Sequence, residues 1–378
     1  MKPTVLIFRS ELLPPSETFI PAQAHALRRF SPFFAGLRLV RAGLSVDSEE
    51  SLLLTRDNTL AARFRRRLFL ETGLAPDFLR ALERRRPALL HAHFAVDAAA
   101  ALPVQRRLGI PLIVTLHGYD ITTPDSVLRR TAAGRVYLRR RAELLSRASL
   151  FVCVSDHLRQ RALVRGFPAG KLRTLHTGVD LDFFAPDPLA SRARDPILLF
   201  IGRLVEVKGC AHLIRAMSLI EHPYPTAKLL IVGDGPLLDP LRAEARVAAR
   251  NITFLGTQPP GVIRDLMRRA TLLAAPSIVT PGGISEALNM AVCEAQAMAL
   301  PVVGFRGTGV EEAVSDQHSA LLVPPGDDRA LAAAICTILS DSALAARLGA
   351  AGRNRAEAHF NLANQTARFE DLCASLLP

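Results

Sequence analysis

The stretch 197–209, ILLFIGRLVEVKG, sets five apolar residues before a glycine, then two cations, Arg203 and Lys208, before a second glycine. A short apolar run bounded by turn residues is what a strand buried on both faces requires. The same unit recurs as AKLLIVGDG (227–235), NITFLG (251–256), TLLAAPS (271–277), PVVGF (301–305) and SALLVP (319–324), each followed by a helical pattern. Upstream, TVLIFRS (4–10), LLHAHF (89–94), PLIVTLHG (111–118) and SLFVCVS (149–155) repeat the rhythm, with helical patterns over 16–30, 97–108 and 125–147. Strands joined by helical crossovers pair in parallel. The pattern predicts an α/β chain of two Rossmann-like, doubly wound parallel-sheet domains facing across a cleft. Ligands bind outside the carboxyl ends of such strands.

A chain of 378 residues exceeds what one core spans. The break falls in FFAPDPLASRARDPI, where prolines, small residues and charges make 187–195 the expected linker. The expected division is 1–187, an acceptor-binding domain; 188–356, a donor-binding domain; and 357–378, a helical tail packing back on the first.

No run of about eighteen uncharged apolar residues occurs, so no spanning helix is expected, and MKPTVLIFRS reads as a first strand rather than a signal segment. Five scattered cysteines, never spaced CxxC, argue against a disulfide framework or zinc site and point to the cytoplasm. Residues 1–187 carry 29 Lys and Arg against 17 Asp and Glu, whereas 188–378 carry 18 of each, so the net +12 belongs to the first half. Its arginines cluster at 63–67, 84–86, 106–107, 129–130 and 139–141, and RFRRRLFL mixes them with Phe64, Leu68, Phe69 and Leu70. That mixture fits an amphipathic segment on an anionic membrane, peripheral on its inner face; a solvated basic face is the alternative. No RNP, zinc-finger or helix-turn-helix signature accompanies it, so nucleic acid is not the expected partner.

The second half carries three candidate motifs. Gly202, Arg203 and Lys208 follow a strand, where a fork and a point charge suit a diphosphate, or form a solvated turn. Gly233, Asp234 and Gly235 allow a ligand close to the backbone, or make an ordinary strand-to-helix turn. No GxGxxG is present, which argues against a dinucleotide fingerprint. In SIVTPGGISEALNMAVCEAQAMALPVV (277–303) the helix is expected to begin at Glu286, whose eight-residue spacing to Glu294 would put both within about 80° of one face. Helix-start N–H groups attract anions. Glu294, deeper among Met290, Ala291, Ala295 and Met298, needs a polar partner; ribose hydroxyls or an ion-pairing cation would serve.

Taken together, GRLxxxKG, the VGDGP turn, E-x7-E and the PVV strand resemble the retaining GT-B glycosyltransferases of family 4, and the likeness spans essentially the whole chain. It implies that Arg203 and Lys208 bind the donor diphosphate and that Glu294 holds the ribose. Glu286 and the backbone of Ala287, Leu288 and Asn289 would approach the donor sugar. The base would lie near the GDG turn and Leu255–Gly256. Two positions depart from the family: Ala287 and Ala299 stand where glycine is usual.

In the first half, PSETFIPAQAHALRRF (15–30) offers Ser16 as helix N-cap and Thr18 in the first turn, as phosphate or sugar contacts or as a plain capped helix. The SETF form resembles the branch of the family that builds exopolysaccharides. VTLHGYD ends a strand at His117, and the resemblance places such a histidine beside the donor sugar. His91 and His93 share a strand face, but no third ligand accompanies them, so packing or acceptor contact is expected rather than a metal. Asp180 is expected to be structural.

The resemblance implies a metal-independent, retaining hexosyl transfer from a UDP- or GDP-linked sugar to a saccharide or lipid-linked saccharide, with no further cofactor. Front-face attack, with the leaving phosphate taking the proton, needs no protein base. The alternatives are a non-catalytic nucleotide-sugar binder, or a sugar-nucleotide epimerase or phosphorylase of the same fold.

Overall fold

The structure, a computed structural model, describes residues 2–14, 16–40, 43, 44, 47, 49–187 and 195–377. It divides into two compact units, Met1–Gly178 with Leu362–Pro378, and Val179–Asn361. The expected boundaries were 187/188 and 356/357, and the expected linker, apart from its ends, lies outside the described residues.

Among its described residues the first unit holds seven strands: β1 (Thr4–Leu12), β2 (Ser31–Leu39), β3 (Ser51–Leu53), β4 (Leu89–His93), β5 (Leu112–Leu116), β6 (Leu150–Cys153) and β7 (Leu172–Thr174). They pair in parallel in the order β3-β2-β1-β4-β5-β6-β7. The second unit has β8 (Ile197–Ile201), β9 (Lys228–Val232), β10 (Ile252–Gly256), β11 (Leu272–Ala275), β12 (Val302–Phe305) and β13 (Ala320–Val323), in the parallel order β10-β9-β8-β11-β12-β13. Both are doubly wound sheets with a switch point, between β1 and β4 and between β8 and β11. Among the described residues, no single helix is long and apolar enough to cross a membrane.

Three strands, β2, β3 and β7, were not legible as apolar runs. Pro32, Gly36 and Arg38 interrupt β2, yet eight register pairs with β1 hold it. The helix expected over 16–30 shortens to Phe19–His25. The reason is tertiary: Glu370 of the C-terminal helix Leu362–Ala374 accepts from the backbone N–H groups of Arg28 and Arg29 at 2.8 and 2.6 Å. That pulls the chain out of the helix and into β2. Phe369 and Cys373 of the same helix lie in the core with Ile7, Ile20, Phe34 and Leu89, so the tail belongs to the first unit.

The helix Met290–Ala297 ends in a Schellman turn: Leu300 N–H reaches the carbonyl of Ala295, and Ala299 N–H that of Gln296, both at 2.9 Å. Ala299 therefore sits at φ 52°, where a Cβ is strained. Restoring glycine (Ala299→Gly) is expected to stabilise the chain by up to about 1 kcal/mol, the strain relief exceeding the added unfolded-state freedom. Urea unfolding at constant m-value checks it.

Candidate active site

In the second unit the loops after β8, β9 and β11 interlock at the switch point. Gly202 N–H donates to Val232 O, and Leu204 N–H to Asp234 O, at 3.0 and 2.9 Å, so the GRL and GDG segments run backbone to backbone. No side chain fits between them: a Cβ on Gly233 (φ 136°) would fall 1.9 Å from Gly202 O. Gly233 N–H also donates to Gly256 O at 2.8 Å, which brings the end of β10 to the GDG turn. Gly209, at φ 67°, lies so close to β11 that a Cβ would meet Pro276 O at 1.8 Å.

This packing aims Lys208 along Gly202 and into an ion pair with Glu286; both side chains are largely buried. Arg203 is exposed, with no side-chain partner among the described residues. The expectation that a helix starts at Glu286 is corrected: the helix is Met290–Ala297, with Asn289 at its N-cap in extended geometry. Glu286 and Glu294 therefore do not share a helix face. Residues 286–288 stay outside the helix, with Gly309 N–H donating to Glu286 O at 3.0 Å and Gly309 set against Ala287 O. Ala287, Leu288 and Asn289 are buried along this segment. Glu294, half-buried one turn into the helix, has no partner among the described residues, and burial pushes its carboxyl up to about 8. At neutral pH burial favours its protonated form, and with no protein partner its oxygens are left to solvent or to a ligand.

The first unit builds a second cluster around β1, β4 and β5. Arg9 is forked by Glu17 at 2.8 and 2.5 Å, pairs with Asp97, and lies 4.5 Å over the Phe94 ring. Burial raises the Glu17 carboxyl despite the arginine beside it. Ser16 is exposed and outside the helix, and Thr18 is the N-cap but makes no side-chain cap bond, which corrects the reading of Ser16 as cap. Within the SETF segment it is Glu17 whose side chain joins this cluster, through Arg9.

His117 lies between Phe19 and Phe94, with centroids at 4.8 and 4.6 Å, and its Nε2 is 3.0 Å from His93 Nδ1. His93 stacks on His117 and lies tilted against His91, whose Nε2 meets Thr115 Oγ1 at 2.8 Å. Burial holds all three imidazoles neutral, pulling His91 down to about 3 and the other two well below their ordinary value. In the His93–His117 bond one ring donates and the other accepts, so His117 Nδ1 takes the opposite role to its Nε2. That leaves it able to meet a hydroxyl. Asp120 fixes the turn, accepting from the N–H groups of Ala95 (2.8 Å), Gly118 (3.1 Å) and His117 (3.3 Å), and burial pushes it up to about 6. The His–His contact, Arg9, Asp97 and Asp120 were missed in the sequence; Arg9, a cation directly after the apolar run TVLIF, and Asp120 after HG were the available signals. Among the described residues no three His, Cys, Asp or Glu side chains are grouped to hold a metal ion.

The neutral histidines make the chain acid-sensitive. The unfolded chain takes up these protons near pH 6.5 and the folded chain only far below, so their contribution is complete above 6.5 and is lost as pH falls. Each costs about 1.4 kcal/mol per pH unit in that window. The melting temperature is expected to drop between pH 6.5 and 5, and less steeply in His91→Leu.

Each unit is thus an open parallel sheet with cations and carboxylates near its strand ends. The family model "Glycosyltransferase Family 4" matches residues 25–183 and "Glycosyl transferases group 1" matches 195–341. The chain is 29% identical over 367 residues to the GDP-mannose-dependent alpha-(1-6)-phosphatidylinositol monomannoside mannosyltransferase of Mycolicibacterium smegmatis, covering 93% of this chain and 90% of that one. It is 30% identical over 289 residues to the D-inositol 3-phosphate glycosyltransferase of Segniliparus rotundus, covering 71% and 62%. Among solved structures, Anabaena HepE in complex with UDP and glucose superposes with a TM-score of 0.77 at 19% identity, covering 98% and 99%. The fold is GT-B, and the chain belongs to the group 1, family 4 glycosyltransferases.

Proposed function

We propose that the chain moves a hexose from a UDP- or GDP-linked sugar to a saccharide or lipid-linked saccharide, with retention and without a metal, as a step of exopolysaccharide or related glycan synthesis. The observation that carries this is the switch-point cluster of the second unit: free Arg203, Lys208 on Glu286, and Glu294 without a partner. A diphosphate suits the cations and a ribose suits the acid. UDP in HepE and GDP-mannose for the mycolicibacterial relative bracket the donor, and the latter's phosphatidylinositol-linked acceptor supports a lipid-linked one.

In this reading the anomeric C–O bond to the diphosphate breaks while the acceptor oxygen bonds the same face of that carbon. The acceptor proton passes to the departing phosphate oxygen. Arg203 and Lys208 meet the negative charge that grows on the diphosphate, and His117 Nδ1 holds a sugar hydroxyl. The cytoplasmic side of the membrane is the proposed location. Its support is the helix Leu60–Thr72, whose Leu60 and Phe64 are 81% and 68% exposed beside Arg63 and Arg67.

A thermal-shift screen against UDP, GDP, ADP and their sugars, with and without EDTA, tests the donor. A nucleotide-selective rise that survives EDTA is expected, and its loss in Arg203→Ala places it. No rise with any nucleotide would sink the reading. The anomeric configuration of the product, read by NMR, decides retention.

A further inference from the structure

The arginine clusters of the first unit divide into two kinds. Some are paired with a carboxylate: Arg65 with Asp77, Arg106 with Glu143, Arg107 with Glu83, Arg139 with Glu71 and Arg141 with Asp125. The others have no carboxylate ion pair among the described residues. Arg38, Arg63, Arg66, Arg67 and Arg135 line one cavity of about 480 Å³ between the helices Leu60–Thr72 and Ala132–Arg147. Among the described residues only Arg38 of these pairs with a carboxylate, Glu11, while Glu71 in the cavity wall pairs with Arg139 outside it.

Arg66 is held in place by neutral acceptors: Thr55 Oγ1 at 2.6 Å, Asp57 O at 2.9 Å and Asn58 Oδ1 at 2.7 Å. Arg135 reaches only the carbonyl of Arg129, at 3.0 Å. Arg63 and Arg67 have no carboxylate partner among the described residues. Burial draws the Arg66 guanidinium below its usual value, with Arg38 and Arg63 adding to the effect and the carboxylates of Asp57 and Glu11 offsetting part of it. Ala132, the first residue of its helix, also faces the cavity, adding the positive end of a sixteen-residue helix.

We propose that this cavity is a second anion site, separate from the nucleotide site of the other unit, and that it takes a phosphate group, either a phosphomonoester or a diphosphate. The volume is ample for a phosphorylated head. Planar guanidinium forks match phosphate oxygens in pairs, and four unneutralised cations exceed what a single carboxylate would call for. The bearer of the phosphate is a lipid headgroup or a free phosphorylated compound. The proposal stands whether or not the chain docks on a membrane.

The test uses the full chain with Arg203→Ala, so that the nucleotide site does not compete, and inorganic pyrophosphate in EDTA as the probe, followed by calorimetry. Arg63 and Arg67 are exposed on their helix, so Arg63→Gln/Arg67→Gln leaves the packing intact. It is expected to weaken pyrophosphate at least tenfold, while the charge-matched Arg84→Gln/Arg86→Gln, outside the cavity, does not. Flotation with phosphatidylcholine vesicles, with and without 30% phosphatidylglycerol, then separates the sources. Capture by the anionic vesicles that needs Arg63 and Arg67, and that pyrophosphate reverses, assigns a headgroup; pyrophosphate binding without capture assigns a free phosphate. Unchanged pyrophosphate affinity in Arg63→Gln/Arg67→Gln, or an equal loss in the control pair, overturns the proposal. Nucleotide thermal shifts on the chain with Arg203 intact report separately on the donor site.

Discussion

Lys208→Ala is expected to lower kcat by about 10²–10³-fold and, at the same time, to destabilise the chain. The first effect follows from removing a cation that would face the departing diphosphate, where such groups contribute roughly 3–4 kcal/mol to the transition state. The second follows from its partner. Lys208 is ion-paired with Glu286, and the two side chains are only 18% and 14% exposed. Truncating the lysine leaves a carboxylate in a nearly dry place without counter-charge, which costs more than the pair itself is worth. About 1–3 kcal/mol is expected, below the range for full burial because some water reaches the pair. Adding Glu286→Gln removes the stranded charge. The double variant should therefore recover most of the lost stability and none of the lost kcat. A double-mutant cycle on both quantities, from urea unfolding and initial rates, separates the two roles. If stability and rate recovered together, Lys208 would be acting only through Glu286, and the diphosphate role assigned to it would fail.

The sheets were legible because parallel strands buried on both faces leave uninterrupted apolar runs, as in ILLFI and KLLIV. The donor-side cations were legible for a related reason: a residue just past such a run lies at the carboxyl end of a strand, where ligands bind. What escaped depends on residues distant in sequence. The non-helical course of 286–288 is held by Gly309, some twenty positions on. Alternation within LLHAH places His91 and His93 on one face, but only the register of β4 on β5, with His93 opposite Thr115, brings His117 to His93. The arginine runs look alike as strings, whereas their partners sit on other helices. Only the fold distinguishes Arg139, matched to Glu71, from Arg63 and Arg67, which face a cavity.

The second large effect concerns Glu294. Its carboxyl titrates near pH 8 in the folded chain, pushed up by burial, against an ordinary value of 4.5. Between those values the folded chain holds a proton that the unfolded chain has released. Stability from this group is therefore full below 4.5 and declines as pH rises, by about 1.4 kcal/mol per unit, until it levels above 8. That is the reverse of the histidine cluster, whose contribution is lost toward acid. Glu294→Gln keeps the shape and cannot ionise. Its melting temperature should match wild type near pH 4.5 and exceed it by an amount worth a few kcal/mol at pH 8.

A group that weakens the fold at neutral pH needs a reason to be there, and the donor supplies one. Two ribose hydroxyls donating to Glu294 would favour its charged form, so nucleotide binding should release a proton. Affinity in wild type is then expected to rise with pH, by at most tenfold per unit, up to about 8, and to be level in Glu294→Gln. The variant should bind the nucleotide about 10–100-fold more weakly at pH 8, the loss expected for hydrogen bonds to a charged acceptor. Calorimetry in two buffers of different ionisation enthalpy reads the proton directly. A nucleotide affinity that is flat from pH 6 to 8 in wild type would mean that the ribose does not reach Glu294. The raised carboxyl would then be only the consequence of a helix packed too closely around it.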